Sequence, residues 1–252
     1  FNLPQANGLL VQRVATNSIF GRMGVHEGDV VAFLLPNCNE AIITLIAAAT
    51  AGQVNPINPT LRAGQVAAIL RESNAKVLVT LAPFPKAEVA SLAAEAVALA
   101  PNVETVLEVD LKRYLSPPLS WIVPLIRPKV KGTHSAVTRN FNEAIAAQPR
   151  ALAFEEADED RITALFHTGG TTGMPKGAML SHLNMVSSAA EIARLHGLDA
   201  SRYSVLCYLP LCHVAERSFS LVQQLVTGCT VSFAESVDTV VTNLREIAPL
   251  GF

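Results

Sequence analysis

Val30-Val31-Ala32-Phe33-Leu34-Leu35, closed by Pro36-Asn37, decides the fold. An unbroken apolar run of this length, bounded by a turn signal, suits a strand buried on both faces, as in a parallel sheet. Just downstream, Asn39 is placed to cap a helix running to about Ala51, and Gly52 is placed to end it. Pro56 and Pro59 forbid regular helix over residues 54–59, which reads as a turn. The cycle then repeats. A helix is expected over about Gly64–Glu72, a strand over Lys76–Leu81, an alanine-rich helix over about Lys86–Leu99 and a strand over Val103–Val109. This alternation predicts an α/β fold with mainly parallel sheets flanked by helices.

From Asp110 to Asp160 the alternation breaks down under Pro117, Pro118, Pro124, Pro128 and Pro149, and the stretch closes on a mostly acidic run, 155–160. A surface excursion between two α/β regions, 1–109 and 161–252, is expected. Within it, Leu115–Ile126 carries the only tryptophan. That segment reads either as a loop packed on the domain or as one that rests on a membrane surface. Beyond Asp160 the cycle resumes with strand Ile162–His167, strand Gly177–Leu180 and a helix capped by Ser181 that runs to about Leu195. Strand Val205–Leu209, a helix over about His213–Val226 ended by Gly228, strand Thr230–Ala234 and helix Thr239–Ile247 follow.

Half of the 252 residues are apolar, enough for a sizeable core, while only 16% are charged and the net charge is −2. No basic field is available for nucleic acid, so no nucleic-acid partner is expected. Cys38, Cys207, Cys212 and Cys229 form no CxxC pair and have no matching histidine spacing, which predicts free thiols in a reducing cytosol and no metal site. The opening Phe1-Asn2-Leu3-Pro4 lacks the regions of a signal peptide, and the native start is expected upstream. Apolar runs fall short of the roughly 20 residues that cross a bilayer, so a cytoplasmic protein is expected, with at most peripheral membrane contact. Oligomeric state is not legible.

The chemistry is concentrated in Thr168-Gly169-Gly170-Thr171-Thr172-Gly173-Met174-Pro175-Lys176-Gly177, a short connection between apolar strands. Glycines let backbone N–H groups approach a ligand closely, threonine hydroxyls add donors and a lysine adds a point charge; together they suit a polyphosphate. A nucleoside triphosphate is the implied ligand. No glycine directly precedes Lys176 and no Ser or Thr follows it, so this is not a Walker A loop, and it is not GxGxxG.

The loop resembles the signature of the adenylate-forming superfamily, Ser/Thr-Ser-Gly-Thr-Thr-Gly-x-Pro-Lys-Gly. That superfamily includes acyl-CoA synthetases, aryl-CoA ligases, firefly-type luciferases and peptide-synthetase adenylation domains. Gly169 departs from it, standing where serine is usual; one hydroxyl donor is lost and the backbone donors remain. Residues 28–37, 55–59 and 75–79 are similar to fold markers of the same family. Tyr208-Leu209-Pro210-Leu211-Cys212-His213-Val214-Ala215-Glu216-Arg217 resembles a second family motif, whose histidine or aromatic residue lines the acyl pocket; here that residue is His213. His182, directly after Ser181, also follows a family pattern. Asp238–Pro249, preceded by Phe233-Ala234-Glu235-Ser236, is most similar to medium- and long-chain fatty acyl-CoA synthetases.

The resemblance implies an AMP-forming acyl-CoA synthetase that uses ATP, Mg²⁺ and CoA and takes a carboxylic acid, favoured as a fatty acid. It implies that Thr168, Gly169, Gly170, Thr171, Thr172, Gly173 and Lys176 hold the phosphates, with Lys176 and Thr171 as the catalytic pair and His213 at the substrate. The family's metal-binding glutamate, ribose-binding aspartate and C-terminal lid are not found in this sequence. The chain is therefore expected to be an N-terminal part, inactive alone. An aryl-CoA ligase, a peptide-synthetase adenylation domain and a non-catalytic nucleotide-binding remnant stand as alternatives.

Overall fold

The structure is a computed structural model and describes residues 13–15, 17–130, 132–148, 151, 153–156, 160–168, 176–199, 203–234 and 236–250. The chain divides into two compact units. One comprises 14–155 and 163–178; the other comprises 156–162 and 179–250 together with Arg13.

In the first unit the elements run β1 (Arg13–Ala15), β2 (Val30–Leu34), α1 (Asn39–Ala51), β3 (Gln53–Pro56), α2 (Ala63–Glu72), β4 (Ala75–Leu81), α3 (Val89–Ala98) and β5 (Thr105–Val109). After these come α4 (Leu119–Ile122), β6 (Val137–Asn140), α5 (Phe141–Ala146) and β7 (Phe154–Glu156), with β7 pairing β1. Strands β8 (Ile162–Thr168) and β9 (Lys176–Ser181) complete a seven-stranded sheet of order β6-β5-β4-β2-β3-β8-β9. The pairings β2–β3, β2–β4, β4–β5, β5–β6 and β3–β8 are all parallel.

Strand β2 is buried along its whole length, as its unbroken apolar run requires. Val30, Ala32 and Leu34 join one core with Leu78 of β4, Ile69 and Leu70 of α2 and Ala96 and Val97 of α3. Val31 and Phe33, also buried, fall on the opposite face by the two-residue period of a strand. Burying a side chain of Val or Phe size contributes roughly 1.5–3 kcal/mol, and a one-residue slip would exchange the faces, so burial fixes this register. Gly52, between α1 and β3, is needed for a close approach: a Cβ there would stand 2.4 Å from the Asp29 carbonyl oxygen and 2.9 Å from that of His26.

Three local expectations are corrected. Residues 54–56, part of the stretch 54–59 read as turn, belong to β3; Pro56 sits at the strand's last position, where the missing N–H does least damage to the ladder. Helix α3 starts at Val89, because Lys86 takes a left-handed φ of 63°. The stretch 110–160 supplies β6, an exposed edge strand beside β5.

In the second unit α6 (His182–His196) is followed by β10 (Ser204–Cys207), a helical segment over 214–227, β11 (Thr230–Phe233) and a terminal helix, Val240–Ile247. Strands β10 and β11 pair in parallel, with the helical segment as their crossover. Ser181 caps α6 as expected: its hydroxyl oxygen accepts from the Asn184 N–H at 3.2 Å, and Asn184 Oδ1 accepts from the Ser181 N–H at 3.1 Å. Gly197 and Gly228 end their helices with positive φ.

Candidate active site

The glycine- and threonine-rich sequence joins β8 and β9, neighbours at one edge of the seven-stranded sheet. Thr168 is the last residue of β8 and Lys176 the first of β9. β8 is parallel to β3, so the loop leaves from the carboxyl ends of parallel strands, where open α/β sheets place their ligands. Gly169, Gly170, Thr171, Thr172 and Gly173, with Met174 and Pro175, lie outside the described residues. Lys176 is exposed.

The loop's entry is held by a polar contact. His167, one residue before Thr168, places Nδ1 3.1 Å from Oδ1 of Asn55 on β3. Asn55 is completely buried, and its Nδ2 has no hydrogen-bond partner among the described residues. The His167 ring also lies against Gly177, at which a Cβ would stand 3.4 Å from Nε2. Burial lowers the pKa of His167 below 6.5, with the charge of Glu72 acting in the opposite sense. The imidazole is thus held neutral beside the loop.

The second motif builds a different site. Tyr208–His213 runs from β10 into the helical segment 214–227, in which Arg217–Val222 is a π-helical stretch, a form frequent at functional sites. Glu216 is buried; its Oε2 accepts from the Leu209 N–H at 2.9 Å and its Oε1 from the Ser220 hydroxyl in a very short contact. One carboxylate therefore ties the motif to the helix. Arg217 is also buried, with Nη2 4.0 Å from the Met185 sulfur, and burial pushes its pKa down to about 9.

Beside Glu216 lies a cavity of about 500 Å³, lined by Ile192 and His196 of α6, Val205 and Leu206 of β10, Tyr208, Leu209, Phe219 and Ser220. Apolar walls with a few convergent polar groups are the usual make-up of a small-molecule pocket. His213 is exposed at the N-terminal end of the helical segment and is not among the lining residues. The sequence reading did not single out Asn55 and His167, and it named Glu216 only as part of the second motif; His196, read there as a surface residue, is exposed. His182 is the first residue of α6.

None of the four cysteines is in a disulfide. Burial raises the thiol pKa of Cys38 and Cys212 to about 11, and burial with Glu216 raises that of Cys207, so none of these three is an activated nucleophile. Among the described residues no group of three His, Cys, Asp or Glu side chains is placed to hold a metal ion, and no helix is long and apolar enough to cross a membrane.

The family described as AMP-binding enzyme matches this sequence over residues 10–248. The chain belongs to the AMP-binding enzyme family. Among curated members, 4-coumarate–CoA ligase 2 of Solanum tuberosum is 26% identical over 234 residues, covering 90% of this chain and 37% of the relative. This AMP-binding enzyme chain thus spans little more than a third of that relative's length. An anthranilate CoA ligase solved with anthranoyl-AMP superposes with a TM-score of 0.72 at 20% identity, over 97% of this chain and 43% of that one. A long-chain-fatty-acid–CoA ligase from Archaeoglobus fulgidus gives 0.63 at 22% identity, over 95% and 42%. At such identities the two structures establish the shared α/β fold.

Proposed function

We propose that this AMP-binding enzyme takes part in the ATP-dependent activation of a fatty acid to its CoA thioester. The observation that carries the reading is the loop Thr168–Lys176, with its glycines, threonines and lysine, at the carboxyl ends of parallel strands in a chain that matches the family over residues 10–248.

In the first half-reaction a carboxylate oxygen attacks the α-phosphorus of ATP. The bond from that phosphorus to the bridging oxygen breaks, and pyrophosphate leaves with the electron pair. Charge builds on the leaving group, and donors already in place lower its cost. Backbone N–H groups from Thr168 to Gly173, the Thr171 hydroxyl and the Lys176 ammonium serve as those donors. His167 and Asn55 position the loop's entry without touching the reacting atoms. Mg²⁺ bound with ATP would offset phosphate charge; among the described residues no group of three His, Cys, Asp or Glu side chains is placed to hold it. In the second half-reaction the thiol sulfur of CoA bonds to the acyl carbon, AMP leaves and the thiol proton passes to solvent. His213 is assigned to the acyl side by the second motif's resemblance alone, since it does not line the cavity beside Glu216.

The apolar cavity beside Glu216 and the fatty-acyl-like tail at 238–249 support a fatty acid. An aromatic acid is the second reading, favoured by the 4-coumarate–CoA ligases among the relatives. Relatives are far longer than the matched part, so the reading is tested on a chain of the relatives' length. Mass spectrometry of thioesters formed from mixed octanoate, palmitate and 4-coumarate by the longer chain decides between the acids. Palmitoyl-CoA or octanoyl-CoA as the main product supports the proposal; coumaroyl-CoA replaces it with the second reading.

A further inference from the structure

The segment between β5 and β6 holds large apolar side chains in water. Trp121 is 69% and Leu125 85% exposed, and Leu119, Ile122 and Ile126 are exposed beside them. Val123 at the centre is buried, and Arg127 Nη2 meets Asp110 Oδ2 at 2.6 Å, so the segment is tied down while its neighbours face outward. A cluster of this kind marks an interaction surface.

Its charge indicates the partner. Residues 111–142 contain Lys112, Arg113, Arg127, Lys129, Lys131 and Arg139 and not one Asp or Glu, in a chain of net charge −2. Arg127 is paired with Asp110 and Arg113 with Glu40, while Lys129 and Arg139 are exposed. Apolar side chains on a segment that carries no carboxylate of its own and keeps Lys129 exposed complement an anionic bilayer, where acyl chains meet negative headgroups. A second copy of this chain would present the same positive charge to itself and be repelled.

We infer that residues 111–130 dock the protein on an anionic lipid surface, with Trp121 and Leu125 entering the interface and Lys129 facing the headgroups. This surface is independent of the activation chemistry, and its test requires no turnover.

Trp121 is the only tryptophan, so its emission reports this contact alone. The chain is titrated with vesicles of phosphatidylcholine carrying roughly one-third phosphatidylglycerol, and with neutral vesicles. The expected result is a blue shift with the anionic vesicles only, reversed at about 1 M salt, where the Debye length falls to about 3 Å. Leu125→Glu and, separately, Lys129→Gln reduce partitioning, by at least about tenfold for the former, with far-UV circular dichroism unchanged. Unshifted emission with anionic vesicles overturns the inference. So does a blue shift that appears without lipid and grows with protein concentration, because a second copy then covers the patch. Equal partitioning onto neutral vesicles also overturns it.

Discussion

Nδ1 of His167 lies 3.1 Å from Oδ1 of Asn55, joining β8 to β3 one residue before the proposed phosphate loop begins. With the amide oxygen as acceptor, the proton resides on Nδ1, and Nε2 is the ring atom nearest Gly177. The pair sets where Thr168 leaves the sheet.

Burial holds the His167 pKa below 6.5, against the opposing charge of Glu72. The unfolded chain takes up a proton before the folded one does. This contribution to stability is therefore complete above about pH 6.5, falls as pH drops below it, and is lost once the folded-state pKa is passed. Urea midpoints between pH 7.5 and 5.5 should decline more steeply for the native chain than for His167→Gln. Parallel profiles would show that the imidazole does not titrate as described.

Gly52→Ala places a Cβ within 2.4 Å of backbone, which no side-chain rotation relieves. Overpacking of this kind costs about 1–3 kcal/mol, and a rigid backbone neighbour puts this site at the upper end. Thermal unfolding should show a clear fall in Tm, whereas Gly64→Ala, with open space around it, should leave Tm nearly unchanged.

Glu216→Ala removes the acceptor for both the Leu209 N–H and the Ser220 hydroxyl. Leaving the buried Ser220 hydroxyl without its acceptor costs about 1–3 kcal/mol, and more because the lost partner is charged. The second motif should loosen with it. Hydrogen exchange at Leu209 is expected to accelerate in the variant, with no change at Leu78 in the other unit's core. Unaltered exchange at Leu209 would detach Glu216 from the motif.

Much of the α/β frame was legible because burial and caps leave local marks. β2 is apolar on both faces, and Ser181 and Gly197 bracket α6. β3 was hidden by two prolines whose local veto on helix says nothing against the end of a strand. β6 was hidden because an exposed edge strand with one valine carries no periodic signal. The loop stood out by residue types alone, since glycines, threonines and a lysine in one short connection suit a polyphosphate. Its support did not: Asn55 and His167 are 112 residues apart and meet only through β3–β8 pairing. That Glu216 and His196 line one cavity is something no spacing rule reveals.

Pyrophosphate release from ATP in the presence of palmitate tests the central claim most directly, using the chain at its relatives' length and its Lys176→Ala variant. Acid-dependent release by the first, reduced about 10²-fold or more in the variant while unfolding midpoints stay equal, is the predicted result for a group that stabilises developing phosphate charge. Release that is equal in the two proteins would contradict the assignment of Lys176 and the loop to the phosphates of ATP.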